Sequence, residues 1–330
     1  MTVDNGAALP EAAGRLEAVL RSGCFAVTAE LGPPRTAEAS VVRQRGDLLR
    51  GCADALNVTD NQSAIVRMSS LAACRVLVEQ GLEPVMQMTC RDRNRIAMQS
   101  DLLGAYALGI RNILCLTGDH MASGNHPHAR QVFDLDSINL IALVRGLNEG
   151  RFECGEELRP APHFFVGAVE NPFAPPYEFR PFRLKKKADA GARFIQTQMI
   201  FDVPRFREFM ARCCDLGLDR RLYILAGVGP LKSPRMARFM RDRLPGCQVP
   251  DEIVKRMEGT PREKWREEGI RLCVEILEQV KDIPGVAGIH IMSIDWEEAV
   301  RAVVEQAGLL PRPTSSDLAG PALLAPALGR

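Results

Sequence analysis

Four apolar runs rich in β-branched residues begin at Phe25, Asp54, Glu83 and Asn112, each 29 residues after the last, and each closes on polar side chains. The spacing predicts a strand and a helix per period and, carried around, a closed (β/α)8 barrel. In such barrels the C-terminal strand ends carry chemistry, so Glu30, Thr59, Thr89 and Asp119 are expected to face one shared pocket. The first strand lies in FAVTAELGPPR, where Val27 and Thr28 favour extended backbone and Gly32, Pro33 and Pro34 stop it just after Glu30. The next three fall at 54–60, 83–90 and 112–119, with helical spacing between them, as in Leu71, Cys74, Leu77 and Val78.

After Asp119 the even period fails. Residues 120–136 form a long polar loop with Gly124, Asn125 and Pro127, ahead of a helix capped near Asp136 or Ser137. Such loops on the top face of a barrel are usually functional. The pattern resumes at 164–170, 194–202, 222–230 and 285–293, which completes eight strands. Short apolar strands alternating with helices argue for a parallel sheet, and eight such units argue for closure. Residues 1–22 read as a helix covering the barrel base, with Leu16, Val19 and Leu20 at helical spacing. Pro245 to Glu268 reads as an insertion of charged helical segments before the last strand. The expected organisation is one barrel domain over 1–310 and a flexible tail or docking peptide over 311–330, rich in Pro, Ala and Gly.

Length alone, 330 residues, would also allow two ordinary domains. A net charge of +1 gives no global basic field for nucleic acid, so any anion site must be local. No segment approaches the roughly 18 uninterrupted apolar residues of a membrane span. The first residues, with Asp4, Glu11 and Glu17, lack the cationic start and apolar run of a secretory signal, so a cytoplasmic enzyme is expected. Ten cysteines stand singly apart from Cys213 and Cys214, without a CxxC pair to suggest zinc, an iron–sulfur cluster or a redox disulfide.

No GxGxxG, P-loop, GxSxG or HExxH motif is present. What remains is a set of polar residues at strand ends. Glu30, held at the pocket mouth by a Gly-Pro-Pro turn, suits a partly desolvated general acid; the alternative is a carboxylate bonding to a neighbouring strand. Asp119 follows Gly118, which lets backbone approach a ligand, and can stabilise a cation or tune a bound ring; otherwise it is a turn former. Gln198 offers one acceptor and two donors to the edge of a heterocycle such as a pterin, or is a buried amide bonded to backbone. Lys185, Lys186 and Lys187 beside Arg183 read as a solvated helix face, or as the source of one lysine for a cofactor phosphate. His120, His126 and His128 fall in the long loop; a polar loop over the pocket is expected, and no metal is assigned.

These segments, TAELGPPRT (28–36), VTDN (58–61), MTCRDRN (88–94), CLTGD (115–119), LKKKADAGARFIQTQMIFD (184–202) and GIHIMS (288–293), resemble in order the methylenetetrahydrofolate reductase family of flavin-containing barrels. The resemblance implies that Glu30 is the acid protonating N10 of 5,10-methylenetetrahydrofolate, leaving an N5 iminium ion. It implies that Asp119 lies near the flavin pyrimidine edge and stabilises that cation, and that Gln198 holds the folate. Thr59, Lys186 and Lys187, with Asp119, fall where the family contacts its flavin, FAD or alternatively FMN. Hydride from the reduced flavin would then give 5-methyltetrahydrofolate.

The chain departs from the family after strand five, where it reads Val169-Glu170-Asn171-Pro172-Phe173 instead of a tyrosine followed by a histidine, and at Gln87, which replaces a histidine. The long loop and the VENPF turn are similar to a subgroup in which an iron–sulfur partner subunit supplies electrons instead of NAD(P)H. An oligomer is expected. The rival readings are a folate-binding methyl-transfer barrel and a noncatalytic folate-binding subunit of a larger redox complex.

Overall fold

A computed structural model describes residues 11–244 and 246–318. Eight parallel strands, β1 Ala26–Leu31, β2 Ala55–Val58, β3 Pro84–Thr89, β4 Asn112–Leu116, β5 Phe165–Glu170, β6 Phe194–Met199, β7 Tyr223–Val228 and β8 Val286–Ile291, close into a barrel in sequence order. All eight expected strands are present, each a residue or more shorter than its apolar run, because the polar ends leave the ladder to form the top loops.

Alternation divides the strand residues between two cores. Val27, Ala29 and Leu31 of β1, with their counterparts on the other strands, pack outward against the helices. Ala26, Ala55, Val85, Leu114, Phe165, Phe194, Tyr223 and Leu225 point inward and fill the lower half of the barrel. Phe165 stacks on Phe194 at 4.9 Å, and Gly167 is the only residue type that leaves room for the Phe194 ring, since a Cβ there would sit 2.2 Å from it. Helix α1, Arg15–Arg21, plugs the base with Leu16, Val19 and Leu20. Its N-terminus is capped from a distance: Glu83 accepts from Arg15 N at 2.5 Å and Leu16 N at 2.8 Å.

The remaining helices are α2 Ala39–Leu49, α3 Ser70–Glu79, α4 Arg95–Ala107, α5 Ser137–Asn148, α6 Arg180–Ala190, α7 Val203–Asp215, α8 Pro234–Arg243, α9 Asp251–Glu258, α10 Trp265–Lys281 and α11 Glu298–Gln306. Asp136 caps α5, as its sequence position suggests, by accepting from Asn139 N at 2.8 Å. The charged stretch expected as an insertion before the last strand contains α9 and the start of α10. The near part of the expected tail is tied to the barrel: Arg312 reaches the base, donating to Asp54 Oδ2 at 2.5 Å and to Phe25 O at 2.7 Å, and Pro313 O accepts from Arg15 at 2.6 Å. The expectations for residues 1–10 and 319–330 lie outside the described residues. Among the described residues no helix is long and apolar enough to cross a membrane.

Candidate active site

The strands carry their inward-facing side chains upward from the apolar plug in two polar tiers. The lower tier is Thr28, Asn57, Gln196 and His290, all buried. Gln196 and Asn57 exchange both amide hydrogen bonds, Gln196 also donates to Thr28 Oγ1 at 3.2 Å, and Thr28 meets His290 Nδ1 at 3.0 Å. Burial without a carboxylate partner pushes the His290 imidazole down to about 3, so it is neutral at physiological pH.

Two residues further along the same faces lies a cavity of about 420 Å³ opening at the C-terminal ends of the strands, within the range of small-molecule sites. Glu30, Thr89, Asp119 and Gln198, from β1, β3, the turn after β4, and β6, line it together. Glu30 makes no hydrogen bond or ion pair among the described residues. Burial, then the negative charges of Asp295 and Glu297, raise its carboxyl from 4.5 to about 7, against the pull of Arg67. Gln198 turns its Oε1 to Met199 N at 2.9 Å, its NH₂ group has no partner among the described residues, and the residue lines the cavity. Gln87 also lines the cavity, and its amide has no partner among the described residues.

Asp119 is exposed at the rim, and its Oδ2 accepts from Ser63 N at 2.8 Å. That donor is presented by a strained turn: Asn61, Ser63 and Ala64 all adopt left-handed φ, at +47°, +56° and +55°. Gly118 before it has φ +94°, which favours glycine, and a Cβ there would lie tight against Thr89 at 3.0 Å and Arg91 at 3.1 Å. Arg91 is fully buried beneath this turn, held by Asp92 at 2.6 Å and donating to the carbonyls of Asp119 and Asn61, each at 3.3 Å.

The cationic wall comes from α6. Lys187 lines the cavity but is committed to Glu170 at 2.7 Å; desolvation lowers its pKa and Glu170 opposes that. Arg180 lies 3.8 Å from the same carboxylate and donates to Ala174 O and Pro175 O. Arg183 lines the cavity without an anionic partner among the described residues.

Two of the residues expected at the cofactor are elsewhere. Lys186 is exposed on the outer face of α6, over the Phe179 ring at 5.5 Å. Thr59 is buried, with its hydroxyl taken by Gln62, and Asp60 and Gln62 line the cavity in its place. Strand β2 ends at Val58, so the alternation that turns Asn57 inward does not extend to Thr59. Sequence reasoning missed Arg91, Arg183 and the floor tetrad. Counting back two residues from Glu30 and Gln198 on the same strand face would have found Thr28 and Gln196. The histidines of the long loop are outside the cavity wall, and His120 Nε2 meets Gln131 at 2.6 Å.

Residues 15–308 match the family model described as methylenetetrahydrofolate reductase. A probable methylenetetrahydrofolate reductase (NADPH) of Caenorhabditis elegans is 26% identical over 250 residues, covering 74% of this chain and 35% of that protein. The 5,10-methylenetetrahydrofolate reductase of Salmonella typhimurium is 24% identical over 233 residues, covering 70% of this chain and 72% of that protein. The chain thus matches only about a third of the length of the nematode relative. A solved Clostridium thermocellum protein, described as uncharacterized and as binding two copies of 5-methyl-5,6,7,8-tetrahydrofolic acid, shares the fold at a TM-score of 0.63 and 13% identity, over 88% of this chain and 98% of that one. With a family match over nearly the whole barrel, the chain belongs to the methylenetetrahydrofolate reductase family.

Proposed function

We propose that this chain reduces 5,10-methylenetetrahydrofolate to 5-methyltetrahydrofolate with a flavin, FAD in preference to FMN, as hydride carrier. The observation that carries the reading is the convergence of Glu30 and Gln198 from β1 and β6, and of Asp119 from the turn after β4, on one cavity. The family and the names of its relatives support the substrate class.

The wall suits a flavin. An unpartnered Gln87 amide offers donors and an acceptor to a ring edge, the Gly118 turn lets backbone close on that ring, and Arg183, with Arg180 and Lys187 behind it, suits a phosphate. When bound, the flavin would supply the hydride. The protein's own residues do the rest. Glu30, near 7, is half-protonated at neutral pH and can give its proton to N10 of the folate ring, which opens the five-membered ring to an N5 iminium ion. Asp119, fixed by Ser63 N–H, offers a preorganised negative charge to that cation. The NH₂ of Gln198 can hold an acceptor on the pterin, and the barrel wall would fix the reacting groups side by side.

The test is donor-independent. The purified chain, loaded with FAD or FMN and photoreduced without oxygen, is mixed with 5,10-methylenetetrahydrofolate while flavin reoxidation and product are followed. Glu30→Gln is expected to slow reoxidation at least about 100-fold while the flavin spectrum is retained. An undiminished rate in that variant, or a chain that takes up neither flavin, refutes the reading. Anaerobic mixing with NADH and NADPH then identifies whether a nicotinamide reduces the flavin directly.

A further inference from the structure

The turn that follows β8 is strained directly beside the acid. Ile294 and Asp295 adopt φ of +45° and +55°, a conformation that a β-branched residue such as Ile294 rarely takes. Lys232, from the β7–α8 connection, holds the turn by donating to Ile294 O at 2.5 Å and Asp295 O at 3.0 Å. Because β1 and β8 pair with Ala29 opposite Ile291, the residues after Ile291 pass alongside Glu30. The turn brings two carboxylates to that place, exposed Asp295 and buried Glu297.

One cation of α2 serves both. Arg45 Nη1 donates to Gly32 O at 2.7 Å, two residues beyond Glu30, and lies 3.2 Å from Glu297 Oε1 and 3.7 Å from Asp295 Oδ1. The guanidinium therefore links the end of β1 to the two acids, with a single positive charge against two negative ones. None of the chemistry proposed for the folate requires these residues to touch a ligand, and among them only Glu30 lines the cavity.

We propose that Arg45, Asp295 and Glu297 are a positioning cluster that sets the pH at which Glu30 gives up its proton, the two carboxylates opposing its ionisation and Arg45 attenuating them. The inference rests on the reading of Glu30 as the acid. The other charged groups around Glu30 leave this role to the cluster. Arg67, from the β2–α3 connection, pulls the other way; His290 on β8 is neutral; Asp60 is tied to Arg93. Asp119 stands at the rim with Arg91 beneath it, and Glu170, Arg180, Arg183 and Lys187 lie on the β5–α6 side. A like charge close by raises a carboxyl's proton affinity and a nearby cation lowers it, so the two kinds of member act in opposite directions.

The experiment is a pH titration of the full chain labelled with ¹³C at the glutamate side-chain carboxyl, the Glu30 resonance being assigned by its loss in Glu30→Gln. Asp295→Asn is expected to move the Glu30 midpoint down, and Arg45→Met to move it up, each by about half to one pH unit. The pH profile of anaerobic flavin reoxidation should follow both shifts. Midpoints that stay put, or that move in the same direction in the two variants, overturn the proposal. Should Arg45→Met not fold, Asp295→Asn decides alone, since its side chain is largely exposed. The two readings separate cleanly: a midpoint that shifts as stated in a protein whose Glu30→Gln variant still turns over sinks the role of Glu30 as acid and leaves the cluster standing. An unmoved midpoint with an inactive Glu30→Gln does the reverse.

Discussion

If Glu30 is kept ready to hold a proton, the fold is weakened by it above neutral pH. The unpartnered carboxyl rises from 4.5 to about 7 in the folded chain, chiefly through desolvation. The sign follows from linkage. A carboxyl whose folded value lies above its unfolded one contributes stability below 4.5, and loses that contribution as the pH climbs through 7. At about 1.4 kcal/mol per pH unit, the rise corresponds to a loss of about 3 kcal/mol by pH 8, and water reaching the cavity reduces it toward about 1 kcal/mol. Glu30→Gln keeps the size and removes the charge, and the side chain has no hydrogen bond among the described residues to lose. The variant should therefore match the wild type at pH 4.5 and exceed it at pH 8 by about 1–3 kcal/mol, a few degrees in Tm for a chain of this length.

The assay is thermal and urea unfolding of both proteins, without flavin or folate, at several pH values between 4.5 and 8. Other titrating groups, such as the buried Glu83 with its own raised value, are common to both chains and cancel in the difference. A difference that is constant with pH, or a variant less stable than wild type at pH 8, would refute the argument that Glu30 is destabilised as an anion. A stabilised but inactive Glu30→Gln is the pattern expected where a site is maintained at the expense of the fold.

Two further outcomes follow from other parts of the molecule. Asp119→Asn keeps an acceptor for Ser63 N but removes the negative charge, so the midpoint potential of the bound flavin should rise by about 30 mV, equivalent to about 1.4 kcal/mol for two electrons, and folate reduction should slow; spectroelectrochemistry showing an unchanged potential removes Asp119 from the flavin. Arg312→Met leaves fully buried Asp54 with Arg15 as its one remaining cation among the described residues, and should lower stability by about 3 kcal/mol in urea unfolding; a loss under about 0.5 kcal/mol would mean that the Arg312 contact contributes little.

The barrel was legible because buried parallel strands leave a continuous apolar signal, and because turn residues such as Gly32-Pro33-Pro34 mark where it stops. The site residues were legible only as far as strand alternation reaches. It puts Glu30 and Gln198 on the cavity wall, each two residues above a buried polar side chain of its own strand, Thr28 and Gln196. It fails at Thr59, where the strand has already ended, and at Lys186, because neighbouring helical residues point about 100° apart and only one of the pair with Lys187 can face the cavity. Arg91, Glu170 and Arg45 were beyond reach, since each acquires its meaning from partners on other elements. The ion pair of Lys187 with Glu170, 17 positions away in sequence, turns a lysine read as a phosphate ligand into one already largely neutralised.

What separates structure from function in this barrel is a single step along the strands. In the lower tier, Thr28, Asn57, Gln196 and His290 satisfy one another in a closed network, as buried polar groups in a stable core must. In the tier above, on the same faces, Glu30, Gln87 and the NH₂ of Gln198 meet no partner among the described residues, and Arg183 across the cavity meets no anion. A fold that needed only stability would have paired these groups or made them apolar, since unpaired polar groups at a half-buried surface weaken it. Their common orientation toward one cavity makes sense when a ligand completes the hydrogen bonds. Among the described residues, an acid and two amides without partners and a guanidinium without an anion would suit a ligand of one kind: a hydrogen-bonding heterocycle with a basic nitrogen to protonate, and an anionic group some distance from it.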